Sequence, residues 1–188
     1  MGFSDQHGRS DRAATVSRAD LLVGGSDAAF RRMIHAMLSF SRNVITVRDG
    51  FGTLIGVSGV QYELLMSVQR LQGGAGVAVG EVAGWMQRSG AFITIESGKL
   101  VAAGLLHKNA DPTDRRRMLL RLTAEAEARL AALAPVQAEV NDALFDALNA
   151  RNFARFAQLV DMLLPCGVRA ATMIRDHIDT GANHAEDR

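Results

Sequence analysis

Apolar residues recur every three to four positions along most of the chain, a spacing that predicts helices with one buried face. The first such run begins near Ser26 and continues to about Val47. Gly50, Gly52 and Gly56 then interrupt the pattern and predict a loop. Residues 1–25 show no such periodicity, and we expect them to form a mobile arm.

Three short helices are predicted next. Ser58 and Gln61 have the spacing of a capping box, in which each side chain binds the other residue's backbone N–H group. Glycines at residues 73–76 end this helix, residues 77–79 predict a very short strand, and a brief helix follows in which Trp85 is expected to anchor the core. Ser89 caps the third helix, which should end at Gly104. Its expected inward positions are Phe92, Ile93, Leu100 and Val101.

From residue 105 the apolar period falls from about 3.6 to about 2, which predicts two strands. Residues 111–114 read Asp-Pro-Thr-Asp, a turn sequence between them. Thr123 then caps a long helix that is predicted to run to about residue 148, with a kink at Pro135. A last helix over 151–164 should bend or break at Pro165, continue over 168–178 and give way to a polar tail over 180–188.

Composition and charge narrow the class of protein. Hydrophobic residues make up 48% of the chain, enough for a folded core. No uninterrupted apolar run approaches the ~18 residues that cross a bilayer, and no signal sequence is visible, so we expect a cytoplasmic protein. Cys166, the single cysteine, excludes an intrachain disulfide. Residues 84–121 contain seven basic and three acidic side chains, whereas the whole chain has a net charge of only +1. The positive charge is therefore concentrated in one segment.

The predicted fold class is mainly α with a small β-hairpin, and the order of three helices and a hairpin is that of a winged helix-turn-helix. In that arrangement one helix enters the major groove of DNA, and the hairpin reaches the adjacent groove or the phosphates. Arginine suits the hairpin tip because its planar fork of donors matches phosphate. Taken alone, the arginines of residues 115–117 favour a solvated hairpin face, and the order of the elements around them favours DNA contact.

Residues 57–123 resemble the MarR family of bacterial transcription regulators. Residues 57–65 are similar to the opening of that family's second helix, and residues 100–106 to the end of its recognition helix and the first wing strand. Residues 111–123 carry the most specific match, Asp-Pro-x-Asp-x-Arg followed by a Leu-Thr helix start. The resemblance implies a homodimer on a pseudo-palindromic operator, with a winged helix-turn-helix over 57–123 and a helical dimerisation domain over 26–50 and 124–179.

The resemblance also implies which residues contact DNA. It places the recognition helix at residues 89–103 and a salt bridge of Asp114 within the wing. The implied DNA-contacting residues are Ser89, Gly90, Ala91, Thr94, Ile95, Lys99, Arg115, Arg116 and Arg117. The sequence departs from the family in lacking arginine and glutamine at the exposed helix positions, where Gly90, Ala91 and Ile95 offer apolar contact, for example to thymine methyl groups.

A polar row on the first helix has two interpretations. His35, Ser39 and Arg42 recur at helical spacing and form either a solvent face or one wall of an effector pocket. The resemblance implies an effector such as an aromatic acid or its thioester, which Arg42 and His35 would pair with while Tyr62 and Met66 completed the site. Such an effector would release a repressor from its operator.

Other functions have less support in the sequence. The histidines show no zinc-like spacing and no catalytic constellation is found, so we expect no metal, cofactor or enzymatic activity. Two alternatives remain open: a winged helix that binds a protein partner, and a regulator that senses oxidants through Cys166.

Overall fold

The computed structural model describes residues 13–186, with the side chains of residues 13–180. A 3-10 turn (Ala19–Leu21) precedes six helices and three strands, which follow in chain order: α1 (Ala28–Leu54), α2 (Gly59–Leu71), β1 (Val77–Ala78), α3 (Val79–Trp85), α4 (Gly90–Ala102), β2 (Leu106–Ala110), β3 (Met118–Leu122), α5 (Ala124–Leu144) and α6 (Ala150–Glu186). The chain divides into two compact units after Gln137.

The first unit contains the predicted helices and hairpin around one core. Strand β3 lies between β1 and β2 and is antiparallel to both, with Val77 opposite Leu120 and Leu106 opposite Leu122. The period-2 pattern is confirmed, because Leu120 and Leu122 are buried while Arg121 between them is exposed. The core side chains that are completely inaccessible are Leu64, Leu65, Val68, Val82, Ile93 and Leu120. The predicted fold class, mainly α with a small hairpin, is confirmed.

The local signals at helix ends are confirmed as well. Ser58 and Gln61 form the reciprocal capping box, and the Ser89 hydroxyl accepts a hydrogen bond from the Phe92 amide at 3.2 Å. Thr123 accepts from the Ala126 amide and donates to the Gly104 carbonyl, so that it joins the start of α5 to the end of α4. Gly104 has a positive φ of 72°, as expected for a residue that ends a helix.

The loop predicted at Gly50 and Gly52 is wrong, since α1 continues to Leu54. Gly52 is buried at the place where α1 meets the start of α2. A Cβ atom on it would lie 2.8 Å from the carbonyl carbon of Ser58, so glycine permits a close approach of two backbones. Only Gly56, with φ 79°, marks the actual end of the helix.

One prediction at the two prolines of the C-terminal region needs correction, since α6 is not broken at Pro165. The kink predicted at Pro135 and a bend at Pro165 stay predictions. Helix α5 passes through Pro135 without interruption, and α6 passes through Pro165 as one helix that reaches Glu186. The polar tail predicted from residue 180 is therefore helical as far as 186, and residues 187–188 lie outside the described residues.

One helix within residues 13–186 meets the length and composition of a membrane span. This is the part of α6 from Ala150 to Thr180, with mean hydropathy 1.2 and no buried residues in its most apolar window. Most of its large apolar side chains share one face, whereas Arg155, Asp161 and Arg169 lie elsewhere on the helix. An amphipathic helix of this kind suits packing against other helices better than immersion in lipid.

Two apolar residues expected in the core are exposed. Trp85 is 53% exposed, with the guanidinium of Arg70 5.1 Å from its ring centre, and Val101 is 39% exposed. Phe92 is half-buried beneath Arg88. The prediction of Trp85 as a core anchor is wrong because α3 turns this side chain to the surface.

Part of the predicted N-terminal arm contacts α1. Asp27 accepts hydrogen bonds from the amide and hydroxyl of Thr15, both at 2.8 Å. Arg31 donates to Asp27 at 2.8 Å and to the carbonyl of Ala13 at 2.9 Å. Residues 13–27 are thus tied to the first turn of α1, and residues 1–12 of the predicted arm lie outside the described residues.

Candidate nucleic-acid interface

Helix α4 has one buried and one exposed face. Ile93, Ser97 and Leu100 are buried against the rest of the first unit. The opposite face is open, and its exposed members are Ala91, Thr94, Ile95, Gly98 and Ala102. Six of the residues predicted to contact DNA are thus exposed on α4 or at its start: Ser89, Gly90, Ala91, Thr94, Ile95 and Lys99.

The one cation in this predicted set on α4 is already paired within the chain. Lys99 donates to Glu96 at 2.7 Å, and Glu96 also accepts from Gln61 of α2 at 3.1 Å. The hydrogen bond from Lys99 holds the pKa of the Glu96 carboxyl below its usual range, although burial opposes the shift. The pair fixes α4 to the start of α2 and leaves Lys99 partly engaged.

The turn of the hairpin is built on Asp111. Its carboxylate accepts from the hydroxyl of Thr113 at 2.6 Å and from the backbone amide of the same residue at 2.8 Å. These bonds lower the pKa of Asp111, with smaller contributions from the amide of Asp114 and the charge of Arg117. Asp111 was predicted as part of a turn, and its role as the buried anchor of that turn was missed.

The salt bridge expected of Asp114 is replaced by a different set of contacts. Asp114 accepts from the backbone amide of Arg116 at 3.0 Å, whereas the ion pairs of the wing that the structure describes belong to Arg117. Arg117 lies 2.8 Å from Glu81 of α3 and 3.9 Å from Asp111. A local Asx turn satisfies the carboxylate of Asp114, and the charge contact that fixes the wing comes from an element 36 residues away.

The three wing arginines therefore differ in what they can do. Arg115 and Arg116 are exposed, and no ion pair of either is found among the described side chains. Arg117 is about half exposed but is held by Glu81. We assign Arg117 a positioning role, and Arg115 and Arg116 are the arginines available to an external phosphate.

An open cleft of about 450 Å³ separates the wing from α4 and the start of α3. Lys108 of β2 lies in it and donates to the Ser97 hydroxyl at 3.2 Å and to the Thr94 carbonyl at 3.4 Å. Arg116 and Glu81 also line the cleft. Lys108 was not predicted as a site residue, because an alternating strand pattern does not show which helix a side chain will reach.

The predicted effector residues lie on two helices, α1 and α2. His35, Ser39 and Arg42 are exposed on α1, where Arg42 donates to Ser39 at 2.9 Å. Tyr62 is buried, packs on Phe51 and accepts a 2.5 Å hydrogen bond from Nε2 of Gln137 on α5. Burial raises the pKa of Tyr62 against the effect of that bond. Met66 is half-buried.

A cavity of about 470 Å³ lies elsewhere, between the end of α1 and α5. Arg129 is its cationic member and donates to the carbonyl of Ile55 at 3.1 Å and to Glu125 at 2.7 Å. The remaining lining residues are Leu54, Ile55, Ala132, Leu133 and Val136. The sequence offered no signal for this cavity, since Arg129 reads as an ordinary exposed position of a long helix.

Two surfaces remain apolar and uncovered. On α1 the exposed apolar side chains include Met33, Ile34, Met37, Leu38, Val44 and Ile45. On α6 they include Phe153, Phe156, Leu159, Val160, Leu163 and Ile174. Cys166 is exposed on α6, with the guanidinium of Arg169 3.3 Å from its Sγ atom.

Comparison with known proteins identifies the fold. No family model matches the sequence, and no curated protein matches it. Among solved structures, AbsC, a MarR family transcriptional regulator from Streptomyces coelicolor, superposes with a TM-score of 0.65 at 17% identity, over 76% of this chain and 95% of that one. A mutant MarR from E. coli complexed with operator DNA gives a TM-score of 0.61 at 19% identity, over 73% and 95%.

A third neighbour is a regulator whose DNA binding responds to a small molecule. BpsR from Bordetella bronchiseptica, described for regulation of its DNA binding by 6-hydroxynicotinic acid, gives a TM-score of 0.58 at 18% identity, over 69% of this chain and 90% of that one. At these identities the likeness establishes the fold. The chain has the winged-helix fold of the MarR-family regulators.

Proposed function

We propose that the chain is a transcription regulator of the MarR type, a homodimer that binds duplex DNA with α4 in the major groove and the wing on the adjacent backbone. The observation that carries this proposal is the exposed face of α4 beside a wing with two exposed arginines, Arg115 and Arg116, on the fold of known DNA-binding regulators. The major groove is about 12 Å wide and admits one helix. Two copies would place their α4 helices about one helical turn of DNA apart.

The proposed domains follow the sequence prediction with one boundary moved. Residues 57–123 form the DNA-binding part, and α1 to Leu54 together with residues 124–179 forms the helical dimerisation part. The uncovered apolar side chains of α1 and α6 support this division, because surfaces of that kind mark association sites. A cytoplasmic protein that acts as a repressor is the simplest form of the proposal.

The salt dependence of DNA binding tests the proposal. Replacing Arg116 with alanine removes one phosphate contact, so affinity should fall for all sequences and the slope of log K against log salt should decrease by about one. Arg18→Ala, which removes an exposed arginine that is paired with Asp20 and lies outside α4 and the wing, is the matched control and should leave the slope unchanged. Equal slopes for wild type and Arg116→Ala would contradict a phosphate contact.

The same experiment separates this proposal from its alternative. A winged helix that binds a protein partner would show no salt-dependent affinity for duplex DNA. Arg115 and Arg116 favour DNA, because the described side chains offer them no carboxylate and a phosphate backbone supplies anions for both.

We further propose that a small carboxylate regulates DNA binding. Two places in the first unit offer a cation for it: Arg42 beside His35 and Ser39 on α1, and Arg129 in the cavity beside α5. Tyr62 and Met66 lie on α2, where Tyr62 already binds Gln137. An effector acts only if it binds the form unable to bind DNA more tightly than the form that binds it.

A panel of aromatic carboxylates and their thioesters tests the effector proposal. Thermal unfolding and mobility shift with 6-hydroxynicotinic acid and benzoate should show stabilisation of the free protein and weaker DNA binding. Arg42→Ala and Arg129→Lys then distinguish the two places, since only the variant that alters the binding site should lose the response. Wild-type protein that ignores every member of the panel would contradict the carboxylate class.

A further inference from the structure

The exposed face of α4 has little capacity for hydrogen bonds. Thr94 is its only hydroxyl, and Lys99 at its edge is engaged by Glu96 at 2.7 Å. The bidentate contacts that distinguish guanine and adenine need arginine, lysine, asparagine or glutamine. This face therefore lacks the groups for the usual direct readout of purines.

The same face presents one large apolar side chain. Ile95 is 60% exposed at the middle of α4, directly opposite the buried Ile93, Ser97 and Leu100. Ile95 therefore contributes little to the core of its own chain. Its neighbours on the face, Ala91 and Gly98, are small and leave it prominent.

Gly98 supports an external contact at this face. A Cβ atom at Gly98 would meet no atom of the chain within 4 Å, so packing does not require glycine there. Glycine inside a helix is less stable than alanine. Because the chain's own packing does not need glycine at this position, we interpret its missing side chain as room for another molecule to approach the helix closely.

We propose that Ile95 reads the 5-methyl groups of thymines in the major groove, so that the operator is recognised at these positions by apolar contact. This inference rests on the proposed DNA-binding function. Thymine is the one DNA base that presents a methyl group in the major groove, and an exposed isoleucine between small residues fits it.

Deoxyuridine tests the proposal, since it lacks only the methyl group and keeps every hydrogen-bonding group of thymine. Duplexes are first selected from a random pool with the full-length protein. Each thymine of the selected consensus is then replaced by deoxyuridine, and affinities are measured by fluorescence anisotropy at one salt concentration. Wild-type protein should lose affinity about fourfold for each contacted methyl group, the factor that corresponds to burying one such group.

Variants of α4 assign the effect to one side chain. Ile95→Ala should bind the thymine duplex more weakly and show a thymine-to-uracil ratio near one, because the partner of the methyl group is gone. Val101→Ala is the matched control, since it removes an exposed β-branched side chain from the same helix, about 120° around its axis from Ile95, and it should keep the wild-type ratio.

Each outcome has one meaning. If no duplex is selected, the DNA-binding function itself fails. If duplexes are selected and deoxyuridine binds as well as thymine, the methyl readout is wrong and the function stands. If Ile95→Ala keeps the wild-type ratio, another group reads the methyl and the assignment to Ile95 is overturned.

Discussion

Asp27 shows at the scale of one residue how a carboxylate holds a segment in place. Thr15 donates to it twice and Arg31 once, and both donors lie on the segment 13–31 that surrounds the start of α1. The amide of Thr15 is the largest cause of a pKa lowered from 3.8 to about 2, followed by its hydroxyl and by Arg31. The ionised carboxylate is therefore the form that binds the segment.

This shift predicts a pH dependence. A lowered folded-state pKa means that the contact stabilises the protein fully above the ordinary value of 3.8 and is lost as the pH falls through about 2. Titration by NMR should show Asp27 protonating at about pH 2, with loss of amide protection at Thr15 in the same range. Thr15→Val removes the hydroxyl donor and should move the pKa upward. An Asp27 that titrates near 3.8 would show that the segment is not held in solution.

Single residues also show what the sequence can and cannot predict. Ser58, Ser89 and Thr123 cap helices as predicted, because a cap involves only backbone amides two or three positions away. Trp85 was misplaced and the ion pair of Arg117 with Glu81 was not predicted, because these contacts involve residues far away in sequence, Arg70 and Glu81. Contacts between residues so far apart in sequence depend on the packing of whole elements.

At the scale of elements, glycine and proline were the main source of error. Both residue types are read as interruptions because they weaken an isolated helix. Gly52 lies inside α1 because α2 needs its lack of a side chain, and Pro165 lies inside α6. The local sequence shows that glycine or proline lowers helix stability. It does not show the tertiary contact that compensates for this loss.

Gly50 and Gly52 offer a matched pair that tests this explanation. Both lie inside α1, but a Cβ atom on Gly50 meets nothing within 4 Å, whereas one on Gly52 meets the backbone of Ser58 and Gly59 below 3 Å. Gly50→Ala should stabilise the protein by about 0.5–1 kcal/mol through helix propensity. Gly52→Ala should destabilise it by about 1–3 kcal/mol because the two backbones must move apart. The free energy of unfolding in urea measures both.

The sign of the two changes is the decisive result. If both alanines stabilise the protein, α1 and α2 are farther apart in solution than in this structure. If both destabilise it, the loop predicted from the sequence at Gly50 and Gly52 is present after all.

At the scale of the whole molecule, α6 presents a surface that a single chain leaves open. Large apolar residues recur along α6 in alternating steps of three and four, at Phe153, Phe156, Val160, Leu163 and Ile174. Between Leu163 and Ile174 the same steps are occupied by the small residues Gly167 and Ala170. This is the spacing of helices that pack along each other. Every one of these large side chains is exposed, and in the proposed homodimer a second copy of the chain would cover them.

Leu163 tests the dimer directly. Leu163→Asp places a charge on the apolar face of α6 twice in each dimer, and losing two buried leucines should weaken association about a thousandfold. Met162→Asp is the control, since Met162 is similarly exposed but lies about 100° around α6 from Leu163, outside the row of apolar side chains, and should leave association intact. Analytical ultracentrifugation measures the mass of each variant, and fluorescence anisotropy measures its binding to the operator.

A monomer should bind a half-site weakly and lose the preference for two half-sites one helical turn apart. If Leu163→Asp remains a dimer with unchanged operator affinity, the face of α6 serves some other purpose and the two recognition helices must be spaced by another element.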